Sequence, residues 1–318
     1  MKEYDTAAAE AARARQAELT KPPGSLGRLE DLAVFMAGWQ GRARPSLDRV
    51  QALVFAGNHG IAAQGVSPYP AEVTAQMVAN FQRGGAAINQ LCKIAGAELQ
   101  VVALDLERPT ADFTKAMAMD VPDLVAAIQT GKDAVDPDAD AIILGEMGIG
   151  NSTVAAALAA ATFGGTAEDW VGPGTGADAD MQAVKAAVIN AGLRRHKGAA
   201  TAASILGSFG GREQAAICGA VIRARELGIP VILDGFICTA AAGVLVVNDR
   251  QALDHCLIGH ESAEPGHRRL IAVLKKDPVV TLDMRLGEGT GAAVALMVLR
   301  AALECHNGMA TFAEAGIG

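Results

Sequence analysis

Residues 278–291 read Pro-Val-Val-Thr-Leu-Asp-Met-Arg-Leu-Gly-Glu-Gly-Thr-Gly, and this stretch decides the fold class. Pro278–Asp283 predicts a short buried strand. Ala292–Glu304, free of Gly and Pro and rich in Ala, Leu and Met, predicts a helix. Between them lies a turn in which Glu288 stands among Gly287, Gly289 and Gly291. Glycine adopts φ > 0 readily and lets a ligand approach the backbone closely. A lone carboxylate on such a turn, at a strand's carboxyl end and beside a helix N-terminus, is placed for chemistry. A glycine-rich turn whose Glu merely faces the helix dipole fits the stretch equally well.

The same rhythm of strand, Gly- or Asp-rich loop and helix recurs through the chain. Further strands are predicted at Val50–Phe55, Glu98–Leu104, Ala141–Leu144, Pro230–Leu233 and His255–Ile258. Helices are predicted over 5–19, 25–40, 72–84, 86–95, 154–163, 180–195, 215–227 and 238–247. Residues 107–137 are polar and predict a helix–loop region, and Ser208–Gly211 a loop. Repeated βαβ units imply a mostly parallel sheet with right-handed crossovers. Ligands of such sheets bind beyond the carboxyl ends of the strands. That rule brings the loops 57–70, 145–153, 172–176, 234–236, 259–266 and 284–291 to one edge. The two N-terminal helices, separated by Lys21-Pro22-Pro23-Gly24, precede any strand and predict a small helical subdomain.

Composition narrows the function classes. The 318 residues are 51% hydrophobic and 19% charged, enough for a sizeable core in one large α/β domain or two unequal ones. Aromatics are only 4% and Gly reaches 36 residues, which suits helices packed closely on a parallel sheet with glycine loops. A formal charge of −8 argues against nucleic acid as the main partner. The five cysteines are scattered without a CxxC pair, so structural zinc and a disulfide framework are not expected and a reducing cytoplasm is. The start lacks a signal-peptide layout, and the longest apolar runs are too short to span a bilayer. A soluble cytoplasmic protein is expected.

Several motifs for known chemistries fail. Gly145–Thr153 has the look of a phosphate-binding P-loop, but Asn151 stands where a Walker lysine is needed. No G-x-G-x-x-G with a distant acidic residue follows a strand, which weakens an NAD-dependent oxidoreductase. His260 and His267 flank Glu261-Ser262-Ala263-Glu264, but their separation fits no zinc pattern, so no metal is expected. His59 suits either a ligand contact or a hydrogen-bonded strand end. There is no G-x-S-x-G elbow, and Cys256 falls inside a strand. What remains is a loop, Gly172-Pro173-Gly174-Thr175-Gly176, able to hold one phosphate on backbone N–H groups, with Lys185 as a nearby cation and Ser262 as an added hydroxyl. An ordinary loop with a solvent lysine is equally compatible. Two carboxylates, Glu146 and Glu288, follow buried strands, and Met147, Ile149 and Leu286 beside them offer an apolar wall. Together these parts describe a site for a phosphorylated sugar and a flat aromatic. A non-catalytic carrier or sensor of nucleotides or azoles would share them.

At this point the segments Lys21–Glu30, Gly145–Thr153, Asp234-Gly235-Phe236, Ser262-Ala263-Glu264 and Met284–Gly289 are familiar as a set. In order and over nearly the whole chain, the protein resembles the nicotinate-nucleotide–dimethylbenzimidazole phosphoribosyltransferases, which prepare the lower nucleotide loop of cobalamin. The resemblance implies an α/β fold: a parallel, Rossmann-like sheet flanked by helices, with a small helical domain formed from both chain ends. In this chain that assigns 1–45 plus 292–318 to the small domain and 46–291 to the large one, in a homodimer. It implies transfer of ribose phosphate from nicotinate mononucleotide to 5,6-dimethylbenzimidazole, with inversion at C1′ and neither metal nor cofactor. Carried over by position, Glu288 is the general base and Glu146 a second active-site carboxylate. Gly148, Gly172, Gly174, Gly176, Lys185 and Ser262 fall at the phosphate and ribose, and Tyr69, Met77, Met147, Ile149 and Leu286 around the base. Tyr69 and Met77 replace a serine and a glutamine of the enterobacterial pattern. That leaves other benzimidazoles, adenine or phenols open as acceptors.

Overall fold

The computed structural model describes residues 2–174 and 176–317. Met1, Gly318 and Thr175 of the 172–176 glycine loop lie outside the described residues. Six strands are present: β1 Val50–Ala56, β2 Glu98–Ala103, β3 Ala141–Met147, β4 Val231–Leu233, β5 Cys256–Glu261 and β6 Pro278–Thr281. They form one sheet in the order β2-β1-β3-β4-β5-β6, parallel at every pairing. This is the α/β, Rossmann-like sheet that the sequence implies.

The inner strands β1, β3, β4 and β5 read as apolar runs because both of their faces are buried, whereas the edge strands β2 and β6 are partly exposed. Alternate residues feed two cores. Leu53, Phe55, Ile142, Leu144, Val231 and Leu233 point into one. Ala52, Val54, Ala141, Ile143 and Ile232 point into the other. The first core is covered by α5 Val121–Asp133, α6 Asn151–Phe163, α7 Ala179–Arg195, α8 Ala202–Phe209, α9 Arg212–Leu227, α10 Phe236–Gly243 and α11 Pro265–Leu274. The second is covered by α2 Arg28–Gln40, α3 Glu72–Gln82, α4 Ala87–Ala95 and α12 Thr290–Gly308. The remaining helices are α1 Thr6–Glu18, packed on α2, and the short α13 Phe312–Ala315. Leu32 and Met36 of α2 share the second core with Leu296, Leu299 and Leu303 of α12, so the two ends of the chain meet.

Several boundaries differ from the sequence expectation, each for a pairing or capping reason. β3 continues through Glu146 and Met147 because β1 extends to Ala56, and Phe55 pairs with Glu146. Glu146 therefore sits on the strand end and not on a loop. β5 likewise continues to Glu261, with His260 opposite Val280 of β6. β6 itself stops at Thr281, before Asp283 adopts φ 53°. Three helices, α8, α11 and the short α13, were not expected. α8 takes in Ser208 and Phe209 of the predicted 208–211 loop, leaving Gly210 and Gly211 as its link to α9, and is capped by Thr201, whose hydroxyl accepts from Ser204 N at 3.1 Å. α11 begins at Pro265, a residue suited to a first helical turn because its missing N–H would go unpaired there anyway.

The topology places the site. From β1 the chain crosses to β2 on one side, then returns to β3 on the other, so the strand order reverses between β1 and β3. Such a reversal opens a crevice above the carboxyl ends of the two strands.

Candidate active site

A cleft of about 800 Å³ opens at that edge, and all six loops expected there contribute to its lining. Its floor is the end of β3. Gly145 is needed at this point because a Cβ would meet the Glu288 and Gly289 backbone at 2.5 Å. With that Cβ absent, the Glu288 turn lies directly against the strand.

Glu288 has φ 65°, a left-handed conformation uncommon for a residue with a side chain. Asp234, at the end of β4, holds it there. Its Oδ2 accepts from Gly289 N and its Oδ1 from Ala292 N, each at 3.0 Å, which caps the start of α12. Asp234 is buried, and His260 Nε2 stands 3.7 Å from Oδ1. One carboxylate oxygen of Glu288, Oε2, is buried without a hydrogen-bond partner. Burial, and then the charge of Asp234, push the Glu288 carboxyl up to about 7.

Glu146 is more constrained. Asn151 Nδ2 donates to its Oε2, and a Cβ on Gly287 would stand 2.6 Å from its Oε1. Burial raises its pKa well above the usual carboxylate range, and Asp234, Glu213 and Glu288 raise it further. Both effects favour its neutral form.

The opposite end of the cleft is cationic. Lys185 is buried, and its Nζ donates to Gly172 O at 3.2 Å and to Ser152 Oγ at 3.4 Å. Burial lowers its pKa while Glu264 opposes the shift. Arg285 donates to Gly174 O at 2.7 Å, and Gly174 N donates to Glu264 Oε1 at 2.8 Å. The α7 N-terminus is closed by Asp178, whose side chain accepts from Met181 N, so the glycine loop does not open directly onto that helix end. Ser262 N donates to His267 Nδ1 at 2.9 Å, and burial keeps the His267 ring neutral with a pKa of about 3. Among the described residues no group of three or more His, Cys, Asp or Glu is arranged to hold a metal.

Of the residues singled out from sequence, Glu146, Met147, Gly148, Ile149, Gly174, Lys185, Ser262, Leu286 and Glu288 line the cleft. Gly172 lies just behind it as the Lys185 acceptor, and Gly176 lies outside the lining with φ 121°. Tyr69 is half exposed and next to the lining residues Ser67 and Pro68 without joining them. Met77 packs with Met147 against the second core, on the same helix as Thr74, whose hydroxyl accepts from Ile149 N at 3.1 Å. Asp234, His260, Asn151, Glu264 and Arg285 also line the cleft. Asp234 lies in a loop expected at this edge, just after β4, but nothing in its spacing singled it out. The others depend on register and loop course, which sequence spacing does not give.

The chain is similar to known proteins over nearly its whole length. A family model described as a phosphoribosyltransferase matches residues 1–317. The nicotinate-nucleotide–dimethylbenzimidazole phosphoribosyltransferase of Rhodobacter capsulatus is 60% identical over 313 residues, covering 98% of this chain and 93% of that protein. The protein of the same description from Mesorhizobium japonicum is 58% identical over 311 residues, with the same coverage. Among solved structures, CobT from Thermus thermophilus superposes with a TM-score of 0.91 at 39% identity, covering 98% of this chain and 99% of that one.

Proposed function

The chain belongs to the nicotinate-nucleotide–dimethylbenzimidazole phosphoribosyltransferase family, and from that premise we propose that Glu288 is the general base of ribose-phosphate transfer to an azole. The donor is nicotinate mononucleotide and the acceptor 5,6-dimethylbenzimidazole or a related base. The products are an α-nucleotide, α-ribazole 5′-phosphate for dimethylbenzimidazole, and nicotinate, as a step in cobalamin assembly.

The chemistry follows from the charges. In the donor the pyridinium nitrogen is already cationic, so the C1′–N bond breaks with its electron pair going to that ring and no general acid is needed. The azole's unprotonated nitrogen attacks C1′ from the opposite face, which turns a β-linkage into α through an oxocarbenium-like state. The azole's other nitrogen must then lose its proton, and a carboxylate with a pKa near working pH accepts it best. The observation that carries this reading is Glu288: a buried, unpartnered oxygen on a turn fixed by Asp234, with a pKa of about 7. Neutral Glu146 offers a hydrogen-bond donor beside it. Lys185, Ser152 and Arg285 supply the polar end for the phosphate, while Met147, Ile149 and Leu286 supply the apolar wall for the base.

The same reading takes residues 1–45 with 292–318 as a small helical domain, 46–291 as the large one, and the working form as a cytoplasmic homodimer. The packing of α2 on α12 supports the first part. No described helix is long and apolar enough to cross a membrane. The test is incubation with nicotinate mononucleotide and a panel of benzimidazoles, adenine and phenols, scoring products by mass. Nicotinate release with an α-nucleotide is expected. Tight nucleotide binding with no nicotinate released from any acceptor would make the protein a carrier.

A further inference from the structure

Behind the floor of the cleft lies a second buried acid that the transfer chemistry does not use. His59, just past the end of β1, and Glu213, in the first turn of α9, are both buried. His59 Nε2 stands 3.1 Å from Glu213 Oε1. That distance is an ion-pair distance without hydrogen-bond alignment, and neither ring nitrogen nor either carboxylate oxygen has another partner. Buried polar groups left this way are costly and call for an explanation.

Three loops have given up a side chain to make room for the pair. A Cβ on Gly57 would fall 2.5 Å from Glu213 Oε2, and one on Gly148 would fall 2.8 Å from His59 Nε2. A Cβ on Gly211 would collide with both residues. Gly148 is the second residue after Glu146 and lines the cleft. The neighbour of Glu213 reaches the same turn from the other side: Gln214 Nε2 donates to Asn151 O at 3.3 Å, and Asn151 is the residue that donates to Glu146. The α9 start that carries both is itself clamped, with Arg212 paired to Asp123 through two contacts of 2.8 and 2.7 Å.

We propose that His59 and Glu213 are a positioning pair for the reaction: wedged beneath Gly57, Gly148 and Gly211, they fix the turn that follows Glu146 at the end of β3. The proposal rests on the reading of the cleft as the transfer site. It has an electrostatic side as well. The groups that act on the Glu146 carboxyl are Asp234 at the end of β4, Glu213 on α9 and Glu288 on its turn, with Asn151 as hydrogen-bond donor. The Cys238 thiol of α10 is within reach of the same field and is held as S–H, chiefly by burial. Glu213 is therefore one of three acidic neighbours that favour the neutral form of Glu146. It is the one placed behind the cleft and outside its lining.

The experiment is steady-state kinetics of the full-length Glu213→Gln and His59→Gln variants, with nicotinate mononucleotide and dimethylbenzimidazole, across pH. For Glu213→Gln, kcat is expected to fall about 10–100-fold, because displacement of a reacting group by an ångström costs that much. The KM for the nucleotide should move less than kcat. Loss of a negative neighbour makes ionised Glu146 easier to form, so the alkaline limb of kcat should move to lower pH. A merely structural pair would lower the melting temperature and leave that limb in place. A folded Glu213→Gln protein with wild-type kcat and an unmoved limb overturns the proposal. If that variant does not fold, His59→Gln carries the same kcat expectation and the same overturning result. Glu288→Gln, measured in parallel, judges the transfer site separately: its retained turnover would sink the base assignment, whereas the pair stands or falls on its own variants.

Discussion

Two glutamates face the same cleft, and the backbone beneath them makes them different reagents. Glu146 ends a strand paired on both sides, with one oxygen taken by Asn151 and three acidic neighbours around it. Glu288 sits on a turn at φ 65°, with one oxygen unpartnered and a pKa of about 7. The strand holds a rigid carboxyl whose neutral form is favoured, and the turn holds a carboxylate able to take a proton near neutral pH. Separating the pKa values of two like groups by their surroundings is how one site assigns acid and base roles.

The largest effect should come from removing the proposed base. Glu288→Gln keeps the shape and loses the proton acceptor, so kcat should fall about 10³-fold, within the usual range for general-base catalysis. Circular dichroism and gel filtration should be unchanged. Glu146→Gln retains a neutral donor and should lose less. The reverse ranking in single-turnover assays would exchange the two roles. Next in size is the polar end of the cleft. Lys185→Ala removes a buried cation, and the KM for nicotinate mononucleotide should rise roughly 10–100-fold, the worth of a hydrogen bond to a charged group. An unchanged KM would mean the phosphate is held elsewhere.

A gentler probe is pH. With Glu288 at about 7, the protonated form dominates below that value and cannot act as base. The kcat of the wild type should therefore fall about tenfold per unit as pH drops below 7, and level off above it until the alkaline limb on which Glu146 loses its proton. A limb near the ordinary carboxylate value of 4.5 would remove the turn's special character.

The contrast also separates what sequence shows from what it hides. The six strands were legible because βαβ rhythm and apolar runs are local properties. Glu288 was legible because glycines on both sides of a lone carboxylate are a local signal. Glu146 was legible as a residue but not as a strand end, since its ladder depends on how far β1 extends. Asp234 shows why the rest was hidden. Its role is to cap a helix 56 residues later in the chain, from Thr290 onward, and only the order β3-β4-β5 brings the two together. Likewise His59 and Glu213 are 154 residues apart, and nothing at either position announces the other.

The smallest predicted effect tests the comparison through stability. The Glu288 carboxyl is raised from an ordinary 4.5 to about 7, so between those values the folded protein binds more protons than the unfolded one. Stability from this group is fully present below about 4.5 and is lost as pH rises through about 7. Glu288→Gln has no charge to bury. At pH 8 it should be more stable than the wild type by about 1–2 kcal/mol, a figure reduced from the full linkage value because the cleft is open to water. By pH 4.5 the two proteins should unfold at the same urea concentration. An inactive variant that is more stable only above neutrality would tie the raised pKa to function, because the strain of holding this carboxylate would then be the cost of having a base. Equal stability at both pH values would show that the turn, though left-handed, leaves Glu288 as free to ionise as in the unfolded chain.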